Sequence, residues 1–121
     1  MRIYTFEAAK GRKIRDFNSQ GAVITRLTSG PRSWQIVALY LEPDGVLGAH
    51  RATSDQLLIV TQGTARVSTG KSKPMHAGPG SAVFWRSGEE HETRAGPEGL
   101  LGIIIEGDGL ADVITMQLQR G

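Results

Sequence analysis

The chain has 121 residues, of which 14 are lysine or arginine and 12 are aspartate or glutamate, giving a formal net charge of +2. A chain of this length builds one domain, and its scattered charges of both signs argue against nucleic acid as a partner. It has no cysteine, which excludes disulfides, thiolate nucleophiles and cysteine-rich zinc sites, so any metal ligands must be histidine, carboxylate or amide groups.

The first twenty residues are predicted to form a strand or a short helix within the same domain, and residues 21–121 are predicted to form its main body. The composition of Glu7–Asp16 favours a turn or two of helix, although Gly11 weakens it. The chain starts without the apolar run of a secretory signal, and no stretch approaches the roughly twenty apolar residues of a membrane span. We therefore expect a cytoplasmic protein without a membrane partner.

Short segments rich in β-branched and aromatic residues predict β-strands at Ser33–Leu41, Asp55–Gln62, Ala65–Thr69, Ser81–Trp85 and Leu100–Gly107. Clusters of glycine and proline between these segments predict turns. Because no long helical pattern separates the strands, the sequence indicates an all-β sandwich or barrel. The large aromatic residues are predicted to lie in its core or line its interior: Trp34, Tyr40, Phe84 and Trp85.

Two of the predicted β segments contain a histidine and begin at a glycine-marked turn. They read GVLGAHRATSDQLLIVTQG, with His50, and GSAVFWRSGEEHETR, with His91. Alternation along a strand would place His50 and residue 52 on one face. The pattern predicts one concave site in which both imidazoles point inward.

These two segments resemble the paired motifs of the cupin superfamily, whose fold is a jelly-roll barrel called the double-stranded β-helix. The first cupin motif has a glycine, a His-x-His pair, a glutamate and a closing glycine. Alignment of the chain with this motif places His50 at the first histidine, Ala52 at the second, Gln56 at the glutamate and Gly63 at the closing glycine. Gly45 lies one residue closer to His50 than the motif requires.

The second cupin motif has glycine, Pro-x-Gly, histidine and asparagine. Gly80, Gly88 and His91 match it, whereas Arg86 replaces the proline and Ala95 replaces the asparagine. The resemblance covers most of the chain and implies a single-domain all-β cupin barrel. The chain also resembles a group of small single-domain bacterial cupins that keep His-x-Ala and the glutamine.

The resemblance also implies a set of metal ligands, which this chain only partly retains. His50, Gln56 and His91 would remain, so that two imidazoles and a neutral amide replace the usual three imidazoles and carboxylate. The ion would be divalent, such as Zn, Ni, Mn or Fe. Alternatively, the histidines are hydrogen-bonding residues in a barrel that has lost its metal. The interior pocket is predicted to be lined by Ala52, Tyr40 and Leu58.

The function predicted first is the binding of a polar small molecule in this internal pocket, beside a degenerate metal site. The alternative is a metal-dependent enzyme of isomerase, lyase or dioxygenase type acting on a sugar derivative or keto acid.

The resemblance further implies a homodimer. Arg51 and Arg66 could hold an anionic ligand, although exposed strand arginines are commoner, and His76 is expected to face solvent.

Overall fold

A computed structural model describes residues 1–28, 34–70 and 72–118 of the chain. Its described strands are β1 (Arg12–Ile14), β2 (Gln20–Arg26), β3 (Gln35–Arg51), β4 (Gln56–Thr69), β5 (Met75–Ala77), β6 (Ala82–Trp85) and β7 (Glu90–Glu106). Short 3₁₀ turns occur at Ala8–Lys10, Asp16–Asn18 and Leu110–Val113. The predicted all-β class is confirmed. Among the described residues, no helix has the length and apolar character needed to cross a bilayer.

Several predicted boundaries are wrong. The segments Ser33–Leu41 and Leu100–Gly107 cover only parts of the long strands β3 and β7. The helix predicted within Glu7–Asp16 is replaced by one 3₁₀ turn followed by β1, because Gly11 ends the turn in an extended conformation. The two strands predicted on either side of Gly63 are one continuous strand, β4. Ser33, the predicted start of the first long strand, lies outside the described residues.

The three long strands organise the fold. β7 lies between β3 and β4 and pairs antiparallel with both along most of its length. The pairing of β3 with β7 is interrupted between Leu41 and Val46, and that of β4 with β7 is interrupted between Gly63 and Ala65. Each long strand therefore contributes one half to each of two layers.

The large layer has the strand order β1-β2-β3-β7-β4-β6 and uses the first halves of β3 and β4 with the second half of β7. The small layer joins the remaining halves in the order β3-β7-β4-β5. Residues from both layers pack into one hydrophobic cluster, for example Leu39 and Leu58 of the large layer with Ala65 and Val67 of the small layer. The core thus lies between the two layers.

Glycines allow the long strands to bend from one layer to the other. Gly63 has φ of +76° and Gly99 has φ of +81°, both in the left-handed region that favours glycine. A Cβ on Gly63 would overlap the carbonyl oxygen of Gly99, and a Cβ on Gly99 would lie 2.9 Å from the carbonyl oxygen of Leu41. The bends of β3, β4 and β7 therefore stack directly on one another.

The N-terminal segment is fastened to β3 close to His50. The turn Asp16–Asn18 carries two left-handed residues, Phe17 with φ of 61° and Asn18 with φ of 56°. Ser19 follows it, and its Oγ accepts a 3.0 Å hydrogen bond from the backbone N–H of Gly48. A Cβ on Gly48 would overlap the Phe17 carbonyl oxygen, so this glycine permits the close approach. The contact brings Phe17 to the end of β3.

Candidate functional site

His50 and His91 converge at one end of the two-layered fold. His50 lies near the end of β3 and His91 near the start of β7, and the two are cross-strand partners in the small layer. Their ring centroids are 4.4 Å apart and the ring planes are tilted by 55°. The cupin-like spacing of the two segments therefore correctly predicted that these two histidines, which are distant in the chain, lie together. Their role as metal ligands stays a prediction.

An aromatic ring packs on the far side of each histidine. Phe17 stacks on His50 with a centroid distance of 4.5 Å and an angle of 15°. Trp85 stacks on His91 with a centroid distance of 4.4 Å and an angle of 23°. Phe17 is 51% exposed and Trp85 is 3% exposed, so the row of four rings runs from the surface into the core. These contacts limit the rotation of both imidazoles.

Trp34, the other tryptophan, does not take part in this arrangement. It is 43% exposed, and its Nε1 donates a 3.1 Å hydrogen bond to the backbone carbonyl of Asp108. The prediction that Trp34 lies in the core is therefore wrong.

Backbone carbonyl groups hold both imidazoles in the same tautomer. Nδ1 of His50 lies 2.7 Å from the carbonyl oxygen of Gly48, and Nδ1 of His91 lies 3.1 Å from that of Glu89. A carbonyl oxygen can only accept, so each Nδ1 must carry the proton that it donates. In the neutral form of each ring, Nε2 is then an unprotonated acceptor.

Burial keeps His91 neutral. The side chain is 2% exposed, and this desolvation lowers the pKa of His91 below its ordinary value of 6.5. The nearby His50 also lowers the pKa, whereas the hydrogen bond to the Glu89 backbone and the Glu89 charge oppose the shift. Nε2 of His91 therefore keeps its lone pair at neutral pH.

Gln56 lies in a polar row of the large layer. It is the cross-strand partner of both Trp85 and Glu106, so the three side chains share one face of the layer. Trp85 is buried against His91, which identifies this face as the interior one. The Gln56 side-chain amide donates a 3.0 Å hydrogen bond to Glu106 Oε2.

Glu106 was not identified from the sequence as part of the site. It is half-buried, and it ends the strand that carries the buried Ile104 two residues earlier. Alternation along that strand was the available signal, because residues two apart share a face.

The other predicted lining residues have different locations. Ala52 is 3% exposed and is hydrogen-bonded through its backbone to Glu89 and Gly88, beside the turn that leads to His91. Leu58 is 1% exposed and belongs to the hydrophobic core. Tyr40 lies on the opposite face of β3 from the buried Leu39 and Leu41, so its predicted place in the interior pocket is wrong.

Tyr40 instead lines a cavity of about 450 Å³ on the outer surface of the large layer. The cavity is mainly apolar, and its walls include Phe6 from the N-terminal segment, Val23, Ala38 and Leu101.

The residues do not fit the metal site that the cupin resemblance implies. Ala52 offers no ligand, and Gln56 offers only a neutral amide whose nitrogen is bonded to Glu106. Within residues 1–28, 34–70 and 72–118, no group of three or more His, Asp or Glu side chains could hold an ion together. Two imidazoles and one amide are fewer and weaker donors than a resident transition metal usually receives.

Comparison with known proteins identifies the fold. A scan against protein-family models found no match, and a search of curated proteins found none either. Solved structures, in contrast, match along most of the chain. A cupin-like protein from Thermotoga maritima MSB8 has a TM-score of 0.75 and 23% identity, covering 87% of this chain and 81% of that protein.

Two further structures give the same result. A Cupin 2 conserved barrel domain protein from Salinispora arenicola CNS-205 has a TM-score of 0.71 and 19% identity, covering 91% of both chains. A polyketide cyclase from Streptomyces resistomycificus has a TM-score of 0.72 and 16% identity, covering 88% of this chain and 80% of that enzyme. The predicted cupin fold, a double-stranded β-helix, is therefore confirmed.

Proposed function

We propose that this cupin barrel binds a small polar molecule through the Nε2 atoms of His50 and His91. The observation that carries the proposal is the pair of Nδ1 contacts to the Gly48 and Glu89 carbonyl oxygens. In the neutral rings these contacts leave Nε2 without a proton on each of two neighbouring imidazoles, whose centroids are 4.4 Å apart. Two acceptor nitrogens on adjacent rings suit a ligand that donates two hydrogen bonds.

The surroundings of the histidines narrow the class of ligand. Gln56 and Glu106 lie on the interior face beside Trp85, so further acceptor oxygens and a negative charge adjoin the site. A carboxylate or phosphate ligand would be repelled by Glu106, whereas hydroxyl or N–H groups would be attracted. Phe17 and Trp85 stack on the outer faces of the two imidazoles and make their surroundings partly apolar. A neutral molecule with several hydroxyl groups, such as a sugar derivative or a phenol, fits this environment.

The competing function is a metal-dependent enzyme in which His50, Gln56 and His91 hold a divalent ion such as Zn, Ni, Mn or Fe. The fixed Nδ1–H tautomer favours it, because metal-ligating histidines usually donate their second ring nitrogen to a carbonyl or carboxylate. The small number of donors argues against it. A resident metal would also require Gln56 to offer its carbonyl oxygen while its nitrogen stays with Glu106.

Metal analysis and thermal melting separate the two functions. Protein purified without a histidine tag is analysed for bound metal, and its melting temperature is then measured with added Mn, Fe, Co, Ni or Zn. A ligand of the native state must raise the melting temperature. We expect no stoichiometric bound metal. We also expect that any rise in melting temperature caused by an added ion is the same in His91→Ala as in the wild type. A stoichiometric metal whose stabilisation is lost in His50→Ala, Gln56→Ala and His91→Ala would overturn the proposal in favour of the enzyme.

A panel of sugars and phenols, followed by protein NMR, tests the proposed ligand class. We expect at least one hydroxylated compound to shift the ring signals of His50 and His91 saturably. His76→Gln is the matched control, because it removes an exposed imidazole distant in the strand pairing from both. Binding that survives in the His50→Ala, His91→Ala double variant would contradict the proposal.

We also propose that the chain forms a homodimer through the outer surface of the large layer. The apolar cavity beside Tyr40 supports this, together with the exposed Ile3, Tyr4 and Phe6 of the adjacent N-terminal segment. Exposed apolar patches of this kind mark interaction surfaces. Sedimentation analysis is expected to show a dimer that Val23→Glu dissociates. Met75→Glu, which adds the same charge at an exposed apolar residue of the small layer, is expected to leave it intact. A monomeric wild type would refute the assembly.

A further inference from the structure

Three basic side chains lie side by side on the outer surface of the small layer. Arg66 on β4 is the cross-strand partner of Arg94 on β7 and also of His76 on β5. Directly paired residues project from the same face of a sheet. Ala65 and Val67, on either side of Arg66, are buried at 0% and 6% exposure, so the basic row faces outward.

This basic row lines a concave surface. Arg66, Arg94 and His76 border a cavity of about 490 Å³, whose other lining residues are Asp44, Thr64, Ala95, Gly96 and Pro97. Asp44 comes from the bend of β3, and the Gly96–Pro97 pair comes from the bend of β7. The bends that connect the two layers therefore form the rim of the cavity. Its volume lies within the range of small-molecule pockets.

The cavity is lined by two arginines and one carboxylate, that of Asp44, so the positive charges of the row are only partly balanced within it. Nε of Arg94 lies 2.7 Å from Glu92 Oε1, which leaves the two terminal nitrogens of that guanidinium for another partner. For Arg66, the described part of the chain provides no carboxylate within ion-pair distance. Like charges directly opposite each other destabilise a sheet. An anion between Arg66 and Arg94 would turn this repulsion into attraction.

We propose that this cavity binds the phosphate group of a phosphorylated, hydroxylated small molecule. The planar guanidinium groups of Arg66 and Arg94 match phosphate oxygens in a bidentate manner. His76 and the Thr64 hydroxyl offer further donors, which suits a group with three peripheral oxygens better than a carboxylate with two. Asp44 accepts a hydrogen bond from a hydroxyl group of the same molecule. The site shares no residue with the His50–His91 site and stands independently of its function.

Calorimetric titration at low ionic strength tests the proposal, because salt screens exposed charges. The probes are glycerol 3-phosphate, inorganic phosphate and succinate. We expect glycerol 3-phosphate to bind most tightly, and Arg66→Gln and Arg94→Gln to weaken it about tenfold each, as for the loss of a charge-assisted hydrogen bond. Arg12→Gln is the matched control, since it removes the same charge from the edge strand of the large layer.

Each alternative outcome overturns a defined part of the proposal. Equal weakening by Arg12→Gln would mean diffuse attraction by net charge instead of a site. Tighter binding of succinate would show that the ligand class is a carboxylate. Equal affinities for inorganic phosphate and glycerol 3-phosphate would show that Asp44 accepts no hydrogen bond from a hydroxyl group of the ligand. Thermal melting of each variant shows that the fold is retained, which is expected because the substituted arginines are exposed.

Discussion

His50 and His91 are directly paired across β3 and β7, and their imidazole centroids lie 4.4 Å apart. Two imidazoles at this distance cannot both be protonated without mutual repulsion. One of the two, His91, is also almost fully buried. Burial, together with the neighbouring His50, therefore favours the neutral form of His91, which is the form that accepts hydrogen bonds at Nε2.

The first prediction concerns the dependence of stability on pH. Burial lowers the pKa of His91 in the folded state below the value of 6.5 that the unfolded chain retains. Below that pH the unfolded state binds more protons, so the free energy of unfolding decreases as the pH falls. Urea denaturation between about pH 7.5 and about pH 5 should therefore show a steeper loss of stability in the wild type than in His91→Gln.

Thr61→Ser is the control for this experiment, because it changes an exposed side chain of β4 that carries no titratable group. It should keep the wild-type dependence on pH. An unchanged slope in His91→Gln would show that His91 does not couple folding to protonation.

The second prediction concerns the role of Phe17. Its ring covers His50 with a centroid distance of 4.5 Å, although Phe17 itself is 51% exposed. Phe17→Ala should therefore raise the rate at which diethyl pyrocarbonate modifies His50 severalfold, because the reagent attacks an accessible unprotonated imidazole nitrogen. Mass spectrometry of the modified peptides measures the rate, with His76 as the internal reference. An unchanged rate at His50 would mean that Phe17 does not shield the ring.

The third prediction concerns the contact between the N-terminal turn and β3. Gly48→Ala would place a Cβ against the Phe17 carbonyl oxygen, so either the turn or the strand must move. We expect a loss of about 1–3 kcal/mol in the free energy of unfolding, as for other overpacked positions. Urea denaturation measures it.

Gly78→Ala is the matched substitution for that measurement. A Cβ there would meet only the His76 ring carbon at 3.7 Å, which is an ordinary contact. Its stability should stay within about 0.5 kcal/mol of the wild type. If Gly48→Ala were equally harmless, the turn would not be packed against β3 as described.

The sequence predicted the fold and the meeting of the two histidines because glycines and histidines recur at fixed spacing in both cupin-like segments. It did not predict the lengths of the long strands. Pro43, Asp44 and Gly45 have the composition of a turn, yet β3 passes through them, since its bend is held by pairing with β7 on both sides. Tertiary pairing thus outweighed local turn propensity.

The surroundings of the histidines were less accessible to sequence reasoning. The outward direction of Tyr40 follows from alternation with Leu39 and Leu41 and could have been predicted. The stacking of Phe17 on His50 could not, because it depends on a left-handed turn in a segment whose composition favours helix. Contacts between distant segments leave no periodic signal in the chain.

The central claim is that both histidines present an unprotonated Nε2 to a ligand, and the ring tautomers test it most directly. Two-dimensional NMR that correlates the ring nitrogens and carbon-bound protons of ¹⁵N-labelled, chelator-treated protein distinguishes Nδ1–H from Nε2–H. The contacts of Nδ1 with the Gly48 and Glu89 carbonyl oxygens predict the Nδ1–H form for both His50 and His91 at neutral pH. A proton on Nε2 of either ring would contradict the account.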